Sequence, residues 1–183
     1  MPAREDRNTL AEFRTPEHKQ RVAIETCPPG HVLVMDSQKS ATAASAGDIL
    51  ITRLTVRGAA GVVIDGGFRD AAIIGDLDMP AYHMRPSSPT NLTTKEAIEI
   101  NGPVGCGDAP IFPDDIIVGD DDFVIVIPAH IADEIATEAV EMTAYEDFVV
   151  EQVRAGKTII GLYPQTRSDH AEFFIAWRKN NGR

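Results

Sequence analysis

The sequence predicts a mixed α/β domain, and three observations predict it. Short apolar runs bounded by turn residues alternate with helical periodicity between residues 31 and 84, the strand–helix–strand unit of a parallel sheet. Between residues 97 and 127 the pattern changes to brief apolar runs separated by Asn101-Gly102 and Pro113-Asp114, which suits antiparallel strands or a small barrel. A long, acid-rich helical run then extends from residue 128 to 155. At 183 residues the simplest organisation is one domain over 1–183, large enough to bury a core.

The elements follow in order. Residues 1–20 are polar, with Pro2 and Pro16, and read as an extended arm with one short helix. Residues 22–26 suit a strand or the end of a helix, and Pro28-Pro29-Gly30 a turn. HVLVM at 31–35 is a buried strand by its apolar run, and the small, polar stretch 37–47 is a loop. Residues 48–57 are helical, with Ile49, Leu50, Leu54 and Val56 facing inward, until Gly58 and Gly61 end the helix. GVVI at 61–64 is an apolar strand that breaks at Asp65-Gly66-Gly67, where two glycines allow positive φ and close backbone approach. Residues 71–77 make one or two helical turns, 80–84 another strand, and 86–94 a Ser/Thr/Pro-rich loop. In the long helix the inward candidates are Ile131, Ile135, Met142, Phe148, Val149 and Val153, and Gly156 stops it. A final helix spans 168–178, with Ser168 as N-cap and Trp177 packed inward.

The net charge of −11 lacks the basic footprint of a nucleic-acid binder and is unsuited to an anionic membrane surface; it leaves a basic protein partner open. Cys27 and Cys106 have no metal-ligand spacing and read as reduced thiols. No apolar run approaches a membrane span, and MPAREDRNTL has no apolar h-region, so the expected location is the cytoplasm.

Candidate chemistry concentrates in GDILITRLTVRGAAGVVIDGGFRD, residues 47–70. Asp48 stands where an N-cap would, and the free N–H groups of the next turn suit an anion. Arg69 and Asp70 follow the broken strand. An acid for a cation, a guanidinium for an oxyanion and a helix start for a carboxylate suit a metal-dependent enzyme acting on a small oxo acid. Each residue also has a plain explanation. Asp70 fits a solvated helix start, Asp48 a simple cap, and Arg69–Asp70 a surface ion pair worth under about 1 kcal/mol.

This spacing, Asp48 followed by Arg69 and Asp70, resembles the signature of the RraA-like family, and GAAGVVIDGGFRD is similar to its central motif. PPGHVLVMD, GDDDFVIVIP and AGKTIIGLYP extend the resemblance over most of the chain. The family includes 4-hydroxy-4-methyl-2-oxoglutarate aldolases and regulators of ribonuclease E activity. The resemblance implies a three-layer αββα swivelling domain in a homotrimer or a dimer of trimers, with the long C-terminal helix attached. It also implies helices and a strand ahead of this stretch; none is matched, and the expectation is either a shortened N-terminus or a start chosen late. Positions that are usually glycine in the family's turns are Asp114 and Phe123 here.

By the same resemblance, Asp70 holds Mg²⁺ or Mn²⁺ directly and Asp48 holds it through a water. Arg69 stabilises the enolate formed when a 4-hydroxy-2-oxo acid is cleaved to pyruvate, and the amides of Ile49 and Leu50 receive the substrate carboxylate. A hard carboxylate suits such an ion, which keeps several waters and needs only one or two carboxylates. Oxaloacetate decarboxylation is a further implied activity. The alternative is a non-catalytic protein that binds and inhibits a ribonuclease. A methyltransferase is not expected, because no strand–glycine-loop–helix cofactor motif is present. Weaker candidates are His83 and Arg85 near a strand end, and Glu141, Glu146 and Glu151 on the long helix. Asp120-Asp121-Asp122 reads as a turn, and no GxSxG nucleophile motif occurs.

Overall fold

The computed structural model describes residues 1–4, 9–92 and 94–183. It divides into two compact units, Met1–Pro128 and Ala129–Arg183. The arm expected over residues 1–20 lies partly outside the described residues. Its described part holds helix α1 (Thr9–Phe13) and the start of α2 (Lys19–Thr26), so residues 22–26 are helix.

The first unit continues through β1 (Val32–Met35), β2 (Ala44–Ala46), α3 (Asp48–Val56), β3 (Gly61–Ile64), β4 (Gly67–Phe68), α4 (Ala71–Gly75), β5 (Ala81–Tyr82) and β6 (Arg85–Pro86). Alternate strands form two parallel three-stranded sheets, β1-β3-β5 and β2-β4-β6. Val32 pairs with Gly61 and Met35 with Ile64, while Ala44 pairs with Gly67 and Gly67 with Arg85. The chain thus passes from one sheet to the other at each short break, including Asp65-Gly66.

Gly66 has no room for a side chain: a Cβ there would lie 2.6 Å from Ser37 Cβ. Beside it Asp65, 5% exposed, accepts hydrogen bonds from the amides of Ser37, Lys39 (2.9 Å) and Gly107 (3.3 Å). A buried carboxylate needs such donors, and these amides come from two loops, one holding Ser37 and Lys39 and the other Gly107, which it ties together. The Lys95 ammonium caps the carbonyls of Ser37 and Ser40, and Ser37 Oγ meets Ser45 Oγ at 2.6 Å.

Two sequence expectations change here. Residues 37–47 are not all loop, because Ala44-Ser45-Ala46 is a buried strand whose small side chains fit against β4. On α3 the inward residues are Ile51 and Leu54, both fully buried, with Leu50 partly covered. Ile49 is 77% and Val56 71% exposed, contrary to the expected inward face. The helix begins at Asp48 after Gly47, and that phase turns positions 51 and 54, one helical turn apart, toward Ile24, Val62, Phe68 and Ile74.

Two antiparallel pairs follow: β7 (Val104–Cys106) with β8 (Ala109–Ile111), and β9 (Ile116–Gly119) with β10 (Val124–Ile127). They form hairpins rather than a barrel, and residues 97–100 carry no strand. Asp114 takes the left-handed conformation at φ 74°, as expected of an aspartate at a glycine position. Phe123 does not, and Asp120-Asp121-Asp122 forms the β9–β10 turn.

The second unit opens with a 3₁₀ turn (Ala129–Ile131) and α5 (Ala132–Arg154), so the α-helix starts four residues after Pro128. Helix α6 (Ser168–Asn181) follows. Ser168 is the first helical residue and Arg167 holds the cap position; the Ser168 side chain lies outside the described residues. The buried positions of α5 are Ala144, Phe148 and Val149, while Ile135, Met142 and Val153 are exposed. The inward face is therefore set by α6. Phe148 packs with Phe174 (5.6 Å) and Trp177 (5.9 Å) around buried Leu162, and Trp177 Nε1 donates to Glu151 Oε2 at 2.7 Å. Arg178 pairs with Glu141 and Tyr163 with Glu146, so all three glutamates considered above are engaged within this unit.

Candidate active site

The sequence-predicted residues meet at one end of α3. Gly47, extended at φ −128°, occupies the cap position, and Asp48 is the first helical residue rather than the cap. The Asp48 carboxylate accepts from the Ile49 amide at 2.8 Å, so a ligand reaching that amide displaces it. The first amides of a helix have no intrahelical acceptor. Among the described residues none accepts from the Leu50 amide, which leaves it open at a helix start that favours anions.

Strand β4 delivers the other half. The Arg69 amide donates to Ala46 O at 2.9 Å, which places residue 69 beside the end of β2. Asp70 then turns left-handed at φ 59° before α4. Successive residues of a helix point apart. The left-handed turn removes that constraint, and Arg69 Nε reaches Asp70 Oδ2 at 3.2 Å. The pair is half exposed, so solvent screening leaves it little stabilising value.

Gly47 completes the arrangement by having no side chain. A Cβ there would stand 3.1 Å from Asp70 Oδ2 and 3.4 Å from Arg69 Nε. The bare backbone leaves a cradle against the guanidinium and the carboxylate. Among the described residues no group of three or more His, Cys, Asp or Glu is placed for a metal, so a cation here would rest on the one carboxylate of Asp70. A hard oxygen donor with open space beside it fits Mg²⁺ or Mn²⁺ holding most of its waters.

Asp48, Ile49, Leu50 and Arg69 line one cleft of about 260 Å³, together with Phe13, Ala44–Ala46, Gly47 and the 90–92 segment. Asp70 adjoins this lining through Arg69. His83 and Arg85 lie outside it; His83 packs on Phe68 with ring centroids 5.2 Å apart. Sequence reasoning missed Gly47, Phe13 and Leu92. Only Gly47 carried a signal, a glycine immediately before a candidate helix-start acid.

Two interleaved parallel sheets with a cleft at the start of α3 define an α/β domain with a candidate site. The chain belongs to the RraA-like family, described as Aldolase/RraA, which matches residues 8–126. A Halalkalibacterium halodurans protein, provisionally named 4-hydroxy-4-methyl-2-oxoglutarate aldolase, is 38% identical over 106 residues, covering 58% of this chain and 50% of that protein. The chain spans about half the length of the curated relatives it matches. Among solved structures, Streptomyces coelicolor RraAS2, an unusual member of the RNase ES inhibitor RraA protein family, has a TM-score of 0.67 at 30% identity. That likeness covers 81% of this chain and 70% of the other. An uncharacterized protein from Pseudomonas syringae pv. tomato shares the fold, with a TM-score of 0.72 at 23% identity over 76% of this chain and 70% of its own.

Proposed function

We propose that this cleft serves a divalent-metal-dependent carbon–carbon lyase that cleaves a 4-hydroxy-2-oxo acid, of which 4-hydroxy-4-methyl-2-oxoglutarate is one, to pyruvate. The observation that carries this is the placement of Arg69 and Asp70 against the bare backbone of Gly47, beside the open Leu50 amide. Asp70 would hold Mg²⁺ or Mn²⁺, with Asp48 reaching the ion through water. When bound, the ion supplies Lewis-acid polarisation of the 2-oxo acid.

Arg69 stabilises the negative charge that grows on the C2 oxygen as the C3–C4 bond breaks, typically a large catalytic effect. Asp48 takes the 4-hydroxyl proton and returns a proton to C3. The Leu50 amide, with the Ile49 amide once Asp48 turns toward substrate, receives the 2-oxo acid's carboxylate. Oxaloacetate decarboxylation passes through the same charge on the same oxygen and is proposed as a second activity. Trimeric assembly, as a homotrimer or a dimer of trimers, and a cytoplasmic location belong to the same proposal. No helix among the described residues is long and apolar enough to cross a membrane.

The test is pyruvate release from a panel of oxo acids with and without Mg²⁺ or Mn²⁺. Release should require the metal, vanish in Asp70→Ala and fall about 10²–10³-fold in Arg69→Ala. A flat panel from folded protein removes the lyase. A second role, binding and inhibiting a ribonuclease, is favoured by the likeness to RraAS2 and by the net charge of −11. In that case a ribonuclease pull-down should succeed equally with native protein and Asp70→Ala.

A further inference from the structure

We infer that Gln20 recognises the substrate's 4-hydroxyl and holds it in the ground state until Asp48 takes its proton. This names a specificity-determining residue and rests on the lyase reading above. Gln20 lies in the first turn of α2, one helical turn before buried Ile24, and is itself only 8% exposed. A buried glutamine is costly unless the two ends of its amide are met. The Nε2 end donates to Ser45 O, three residues before Asp48. That bond fixes the planar amide and turns Oε1 the other way. Among the described residues none donates to Oε1, and it is not sealed from solvent. Gln20 lines the same cleft as Asp48, Leu50 and Arg69, so Oε1 is an acceptor presented to whatever binds there.

The chemistry of the substrate class decides what meets it. An ionised 2-oxo acid offers only acceptors at its ketone and carboxylate oxygens, whether it carries one carboxylate or two. The 4-hydroxyl is the single hydrogen-bond donor of a 4-hydroxy-2-oxo acid such as 4-hydroxy-4-methyl-2-oxoglutarate. In the structure the Asp48 carboxylate is committed to the Ile49 amide at 2.8 Å. The hydroxyl therefore donates first to Gln20 Oε1, and its proton passes to Asp48 when that carboxylate turns toward substrate. The O–H electron pair then forms the new C4 carbonyl and the C3–C4 pair forms the enolate, while Gln20 neither gains nor loses a proton. A ligand without the hydroxyl leaves Oε1 unmet, which is how a buried polar group discriminates.

Calorimetry with Mg²⁺ present compares 4-hydroxy-2-oxoglutarate with 2-oxoglutarate, which differ only in that hydroxyl. The full chain carries Asp48→Ala, which removes the base, so binding is read apart from cleavage. It should bind the hydroxylated acid about tenfold more tightly, the worth of one hydrogen bond. Adding Gln20→Met, unbranched and of similar length, should bring the ratio to about one while 2-oxoglutarate binds as before. Gln20→Asn, which keeps an amide but withdraws it from the cleft by one methylene, should do the same and serves where the apolar variant does not fold. A ratio near one with Gln20 intact, a preference that survives either change at residue 20, or binding of neither acid would overturn the inference.

Pyruvate release separates the two claims. In a cleaving enzyme Gln20→Met alone should raise KM about tenfold without lowering kcat, because its bond is given up before the transition state; a merely structural role would lower kcat. The hydroxyl preference in a chain that releases no pyruvate sustains the recognition and removes the lyase, and release without the preference does the reverse.

Discussion

Gly47 shows how much a missing atom can do. Its backbone conformation is open to any residue, so Gly47→Ala introduces no backbone strain. The added Cβ would instead press on Asp70 Oδ2 at 3.1 Å and on the Arg69 guanidinium at 3.4 Å. The expected outcome is a fall in metal-dependent pyruvate release of about tenfold or more, with thermal stability changed by less than about 1 kcal/mol. Steady-state kinetics beside a melting curve measure both. Asp48, Arg69 and Asp70 stood out in the sequence because their spacing resembles a family signature, and the fold brings Arg69 and Asp70 together beside the start of α3. Gly47 did not stand out, because its contribution depends on which side chains fold against it.

Cys106 makes a second case at this scale. Burial, followed by the nearby Asp65 carboxylate, pushes its thiol up to about 11 from an ordinary 9.0. The folded chain keeps a proton that the unfolded chain releases, so this thiol's contribution to stability is intact below pH 9 and lost as pH rises toward 11. Maleimide labelling at pH 8 should therefore be slow at Cys106 in native protein and fast in urea.

At the scale of elements, α3 was recognisable as a helix and misjudged in its facing. Its apolar residues, at 49, 50, 51, 54 and 56, go most of the way round, so periodicity alone could not select a face. Burial of Ile51 and Leu54 against β3 and β4 decided it. Ile51→Ala and Leu54→Ala should each cost about 2–5 kcal/mol in urea unfolding, and Val56→Ala under about 0.5 kcal/mol. Strand β2 was hidden for a different reason. Ala-Ser-Ala has little β-propensity, and it is a strand because Gly67 and Phe68 offer it a partner. The same holds for β4 and β6, each two residues long, which tertiary pairing defines more than local sequence, whereas β5 lies within the strand expected at 80–84.

For the whole molecule, the family could be read from motifs, while the weaving of alternate strands into two sheets could not. That order comes from crossovers of a few residues at Asp65-Gly66 and before Arg85, where sequence shows only turn formers. The proposed trimer belongs at this scale. Light scattering should return three times the 19.8 kDa chain, or six times for a dimer of trimers. With each copy carrying −11, dilution should dissociate the assembly more readily at low salt than at 0.15 M, because screening weakens repulsion between copies.

The chain contains a single tryptophan, and it sits in the aromatic cluster that joins α5 to α6. Trp177 is stacked on Phe174 and tethered to Glu151, so its emission is an intrinsic beacon for the helical unit at residues 129–183. Far-ultraviolet dichroism sums over both units, whereas this fluorophore speaks for one. Melting followed by both signals therefore shows whether the helical unit unfolds at the same temperature as the chain average, with no label added and no residue changed.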